Sequence, residues 1–286
     1  MDGPLNAPND AESRGGGERP GPLVVKLGGA LLDSPELFAA TFDAIALLHQ
    51  RHPGGVVAVH GGGKAVDRQL ERLGLASERR EGIRITPPEH LEQIVGVLAG
   101  AMNTRLVGLL TARGVPAVGL TLSDGLLCRV EKCGRYDFDP GCVGEVVGGH
   151  PTLVRHLVGG GFMPVLSSIG IDPAGQPLNV NADDAAASVA GLLRASALLV
   201  LTDVPGVLGP DGGLIPELGP EEAESLIASG VVTGGMVVKV RGAVSAAVHA
   251  GTPVVIASWS DPQAILSLAR GAGAGTRIHP RSAVAA

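Results

Sequence analysis

Between residues 23 and 278 the chain alternates short runs of Val and Leu with longer amphipathic stretches, and this rhythm constrains its fold more than any other feature. Such alternation builds a mostly parallel sheet covered by helices. The expected strands are 23–27, 56–60, 117–121, 163–168, 197–203 and 253–257. Ser34, Pro35 and Glu36 make a good helix start, since Ser caps free amides and Pro is tolerated in the first turn. That helix should run to Arg51. A second is expected from the glycines before Lys64 to near Gly74, and a third from Pro87 and Pro88 to Arg113, where Gly114 stops it. Residues 126–147 alternate apolar and polar across a Gly- and Pro-containing turn, the pattern of an antiparallel hairpin that could serve as a lid. The expected class is therefore α/β, with one domain over 23–280 between short tails at 1–22 and 281–286. Its two lobes divide near 170–176, at about 23–175 and 176–280.

Composition narrows the function. The chain has 286 residues, suited to one large or two intimately joined domains. Aromatics are only 2% and glycines number 44, so the core must pack from small aliphatic side chains around tight turns. A net charge of −6 with scattered Lys and Arg leaves no basic footprint for nucleic acid or anionic lipid, and small molecules become the expected partners. No uninterrupted apolar stretch of ~18 residues is evident, and the Gly- and Pro-rich start, read as a disordered tail, has no signal-peptide run. Cys128, Cys133 and Cys142 are an odd number that suits a reducing cytoplasm. With His150 they match no common zinc spacing, and no metal site is expected there.

Four motifs carry chemistry. A strand delivers Lys26 and turns on Gly28 and Gly29; a lysine at a buried strand's end calls for an anion, and the glycines let a phosphate approach backbone amides. A snorkelling lysine beside an ordinary turn is the alternative. Next, His60 leads through Gly61, Gly62 and Gly63 into a helix whose free amides could bind an anion. This is no Walker A loop, because Ala58 and Ala65 occupy positions that motif reserves for Gly and Ser or Thr. The glycine clusters also lack the dinucleotide-binding spacing. His60 itself, at a strand end before glycines, reads as structural. Third, Asn179, Asn181 and Asp183 alternate along an extended segment and can face one polar site, unless Asn181 or Asp183 simply caps the next helix. Last, Asp203 to Leu208 follow a strand, and Lys239 sits one turn into a helix after Gly234 and Gly235.

In this order the motifs resemble the amino-acid kinase family over nearly all of 23–278: KLGG at 26–29, HGGG at 60–63, GIRIT at 82–86, SSIG at 167–170, NVNADDAA at 179–186, LTDVPGVL at 201–208, GGMVVKV at 234–240 and IASW at 256–259. The resemblance implies a three-layer αβα sandwich on an open, mostly parallel sheet. The N-terminal lobe would take an acyl amino acid and the C-terminal lobe ATP. By the same resemblance Lys26 and Lys239 would hold the migrating phosphoryl group and Asp183 would orient both. Gly62, Gly63, Arg84 and Asn179 would bind the acceptor. Gly28, Gly29, Asp203, Val204, Pro205, Gly206, Val207, Leu208, Val231, Val232 and Thr233 would contact the nucleotide.

The implied reaction moves the γ-phosphoryl group of ATP, with Mg²⁺, to the side-chain carboxylate of N-acetyl-L-glutamate, without a tightly bound cofactor. A carboxylic acid of pKa near ~4.3 is already an anion at neutral pH, so no general base is needed. The difficulty is repulsion between anions, which lysines, Mg²⁺ and glycine amides offset. Arginine-inhibited relatives carry an N-terminal helix that interlaces dimers into hexamers. The glycines at 15–17 and Pro20, Gly21 and Pro22 oppose a helix, so the expectation is an arginine-insensitive homodimer. The rivals are a sibling kinase for glutamate, an aminoadipate derivative or carbamate, and a non-catalytic nucleotide or amino-acid sensor.

Overall fold

The structure is a computed structural model that describes residues 20–33, 39–269 and 275–281. Its centre is an eight-stranded sheet. From one edge to the other its strands are Glu217–Leu218, Thr276–Ile278, Val254–Ser258, Ala197–Thr202, Leu23–Leu27, Val56–His60, Met163–Ser167 and Ala117–Leu120. Thr276–Ile278 runs antiparallel to Val254–Ser258; the other neighbouring pairs are parallel. The six expected strands form within a residue of their anticipated ends; the apolar runs of Leu23–Leu27, Val56–His60, Ala197–Thr202 and Val254–Ser258 suit strands covered on both faces.

Alternate strand residues supply two cores, as the pleat requires. Val24, Val57, Val59, Leu198 and Ile256 pack beneath Ala182–Leu193 and Gly235–Ala250. Val25, Leu27, Ala58, Val165 and Leu199 face Phe42 and Ile45 of Ala39–Arg51, and Leu106 and Leu110 of Asn103–Thr111. The three layers of an αβα sandwich result. The helix start at Ser34 lies outside the described residues; the rest of that helix is Ala39–Arg51. The second helix is Gly63–Arg72. The third is continuous from Pro88 to Thr111, with a π-helical turn at Gly96–Met102. By length and average composition this helix is apolar enough to cross a membrane, but Asn103, Thr104 and Arg105 interrupt it, so the expectation of no uninterrupted apolar stretch stands. It packs Ile94, Leu98, Met102, Leu106 and Leu110 into the protein.

The anticipated hairpin is present as Arg129–Lys132 and Val143–Gly148, and joins Pro177–Val180 and Ile169–Ile171 in a separate four-stranded sheet. Residues 21 and 22, expected in the tail, pack instead. A side chain on Gly21 would meet the Arg194 carbonyl at 2.0 Å, and the Pro22 carbonyl accepts from the Ser196 amide at 3.0 Å. The remainder of that tail through residue 19, and residues 282–286, lie outside the described residues.

Candidate active site

The strand Leu23–Leu27 has Val56–His60 on one side and Ala197–Thr202 on the other; the chain leaves Leu23–Leu27 toward the first and leaves Ala197–Thr202 in the opposite direction, toward Val254–Ser258. In open α/β sheets the crevice beyond the carboxyl ends at such a point is where ligands bind. Lys26, Gly28 and Gly29 emerge there, with Gly61 to Gly63 on one flank and Thr202 and Asp203 on the other.

Two adjoining cavities occupy this edge, of about 660 and 310 Å³. Lys26, Gly28, Gly29, Asn181 and Asp183 line both. The Lys26 ammonium, on a side chain only 16% exposed, lies 2.9 Å from the Asp183 carboxylate. It folds over Gly28, where a Cβ would stand 2.8 Å from Nζ. Asn181 caps Ala182–Leu193 by accepting from the amides of Asp183 (2.8 Å) and Asp184 (3.2 Å), which fixes Asp183 in the first turn. Capping by Asn181 and presentation of Asp183 are thus one arrangement.

The smaller cavity gathers Gly61, Gly62, Gly63, Arg84, Ser168 and Asn179. Arg84 is buried, donating to the Gly63 carbonyl at 2.8 Å, to Asp67 at 2.6 Å and to the Ser77 hydroxyl. Burial pushes the Asp67 carboxyl up, but hydrogen bonds from Arg84 and Ser77 and the charge of Arg84 outweigh it and hold the group at about 2. Asn179 donates to the Thr86 hydroxyl at 3.1 Å. His60 is fully buried: Nδ1 donates to the Gly61 carbonyl at 2.8 Å, and Nε2 accepts from Asn103 at 3.1 Å. Desolvation, partly offset by the Gly61 bond, lowers its pKa to about 4, so the ring is neutral and structural.

The larger cavity gathers Thr202, Asp203, Lys239 and Trp259 beside the shared wall. Lys239 is bound to Asp203; of the two lysines that Asp183 was expected to orient, it pairs with Lys26 among the described contacts. An ammonium pairs with the carboxylate its stem reaches, and Lys239 reaches Asp203, the residue that follows Ala197–Thr202. The Lys239 hydrogen bond holds the Asp203 carboxyl below its usual range. Val204, Pro205, Gly206, Val207 and Leu208, with Val231, Val232 and Thr233, do not line this cavity. Val207 and Val232 are buried, and the Val207 amide donates to Thr276 Oγ1 at 2.7 Å. Lys64 turns away to Asp33, at 3.1 Å.

Sequence reasoning missed Asp67, and also Arg135 and Asp184, which pair at the larger cavity. Among the described residues no cluster of three or more His, Cys, Asp or Glu could hold a metal ion.

A doubly covered, mostly parallel sheet whose lysine-lined crevice is divided into two adjoining cavities defines an α/β protein of the three-layer sandwich class. The chain belongs to the amino acid kinase family, whose model matches residues 21–258. It is 44% identical to acetylglutamate kinase of Aeromonas salmonicida over 256 residues, covering 90% of this chain and 97% of that protein. It is likewise 44% identical to acetylglutamate kinase of Vibrio cholerae, covering 91% and 97%. Among solved structures, N-acetylglutamate synthase from Neisseria gonorrhoeae, complexed with coenzyme A and L-arginine, superposes with a TM-score of 0.73 at 25% identity, over 91% of this chain but 62% of that one. Carbamate kinase from Giardia lamblia, bound to AMP-PNP, shares the fold at a TM-score of 0.61 and 18% identity, over 91% of this chain and 98% of that one.

Proposed function

We propose that this chain transfers the γ-phosphoryl group of ATP to the side-chain carboxylate of N-acetyl-L-glutamate, forming N-acetyl-L-glutamyl 5-phosphate in the second step of arginine biosynthesis. The observation that carries the reading is the wall of Lys26, Gly28, Gly29, Asn181 and Asp183 shared by two cavities of unequal size. Two substrates that exchange a phosphoryl group need such a junction. The relatives named acetylglutamate kinase, matched over 90% of the chain, select this acceptor over glutamate, aminoadipate derivatives or carbamate. Retention of Lys26, Asp183 and Lys239 together favours an enzyme over a sensor.

In this reading the smaller cavity, in the N-terminal lobe of about 23–175 and its border with 176–280, holds the acceptor. The Arg84 fork faces the substrate's α-carboxylate, and Gly62, Gly63 and Asn179 orient the rest. The nucleotide occupies the larger cavity. Asp203 borders that cavity; for Val204 to Leu208 and Val231 to Thr233 the support is family resemblance alone. The acceptor's side-chain carboxylate is already ionised and attacks without a base. Lys26 and Lys239 stabilise the charge that builds on the transferred group, while Asp183 holds Lys26 in place. Mg²⁺, riding on the phosphates beside Asp183 and Asp203, would neutralise part of their charge.

Steady-state kinetics test these roles. Lys26→Ala and Lys239→Ala should each lower kcat by about a hundredfold or more with little change in substrate KM. Arg84→Ala should mainly raise the KM for acetylglutamate. The reverse pattern would overturn the assignment. The free thiols of Cys128, Cys133 and Cys142 support a cytoplasmic enzyme. The half-exposed edge strand Ala117–Leu120 supports a homodimer.

A further inference from the structure

Arg135 lines the larger cavity, yet nothing in the reading above uses it. It stands at the tip of the hairpin formed by Arg129–Lys132 and Val143–Gly148. That tip has a firm base. The Phe138 ring lies 4.4 Å from the Arg80 guanidinium, Tyr136 stacks on Phe138 at 5.2 Å, and Asp137 pairs with Arg80 at 3.3 Å. Arg80 belongs to the short hairpin whose later residues, Gly82 to Arg84, line the smaller cavity. From this base Arg135 reaches Asp184, the neighbour of Asp183. The larger cavity is therefore lined by three cations, each held by its own carboxylate: Lys26 by Asp183, Lys239 by Asp203, and Arg135 by Asp184.

The Arg135–Asp184 pair is a weak strut, since both side chains are nearly half exposed, at 47% and 44%. It is easily exchanged. A guanidinium offers a planar fork that suits phosphate oxygens, and a polyphosphate carries more charge than one aspartate. We propose that Arg135 is a phosphate ligand of the nucleotide, exchanging Asp184 for phosphoryl oxygens when ATP binds. The proposal rests on the larger cavity being the nucleotide site. The hairpin then contributes directly to binding and is more than a cover. Asp184 serves as the resting partner of the arginine.

The test uses the whole chain, with ADP affinity from calorimetry and KM values for ATP and acetylglutamate. Arg135→Gln should weaken ADP and raise the KM for ATP by roughly tenfold, the scale of one lost charge-assisted hydrogen bond, and leave the KM for acetylglutamate unchanged. Asp184→Asn should act in the opposite direction and tighten ADP. That gain should vanish when Arg135 is already Gln. If the pair is only a strut, both substitutions loosen the hairpin, weaken ADP alike and disturb acetylglutamate through Arg80; that result overturns the proposal. An unchanged Arg135→Gln variant of an active parent removes this role alone, whereas a parent that binds no ADP removes the nucleotide reading with it.

Discussion

His60 combines a position beside the smaller cavity with a chemistry that keeps it out of the reaction. Its two nitrogens are committed to Gly61 and Asn103, and burial keeps it neutral down to about pH 4. An unfolded histidine takes a proton near ~6.5. Between that pH and about 4 the unfolded chain binds a proton that the folded one refuses, so stability falls as pH falls, by roughly 3 kcal/mol across the window. Urea unfolding at several pH values should show this slope, and His60→Gln should flatten it whatever its absolute stability; an equally steep variant would contradict the assignment. The role of His60 was legible because a strand end running into glycines leaves a side chain little freedom. Asp67 and Arg135 were not. Their partners Arg84 and Asp184 lie 17 and 49 residues away, and no local pattern announces pairs that only the tertiary fold creates.

At the scale of elements, the helix Ala182–Leu193 does most to order the site. It packs Ala185, Ala186, Val189 and Ala190 against the sheet, and its capped start holds Asp183 toward Lys26. Asn181→Ala should cost about 1 kcal/mol of stability, read as a lower urea midpoint at unchanged slope, and also lower kcat, because Asp183 loses its fixed turn. A stability loss with full kcat would show that the cap and the site are independent. The strands were readable to within a residue because short apolar runs such as 23–27 and 56–60, bounded by Gly or Pro, have few other ways to be buried. The long helix was also found, but its π-helical turn at Gly96–Met102 was not. A π turn leaves no periodic mark in so short a segment.

For the whole molecule, topology brings residues from both halves of the chain to one edge. Lys26 and Asp183 are far apart in sequence, yet their motifs fall where the sheet's connections reverse, so family resemblance could assemble the site before any contact was known. The lining of the larger cavity was less legible, since the turn at 203–208 is fastened to Thr276 through the Val207 amide and only Asp203 of it lines that cavity. The proposed homodimer rests on the half-exposed edge strand Ala117–Leu120 and on the glycines and prolines before residue 23, which oppose an interlacing helix. Light scattering should give a dimer whose activity L-arginine leaves unchanged; a hexamer, or inhibition by micromolar arginine, would contradict this. The central claim is the reaction itself, and trapping its acyl phosphate tests it most directly. With ATP, Mg²⁺ and hydroxylamine, the protein should form a hydroxamate from N-acetyl-L-glutamate and not from glutamate, aspartate or aminoadipate. Hydroxamate from one of those acids instead, or from none while the folded protein still binds ATP, would contradict the account.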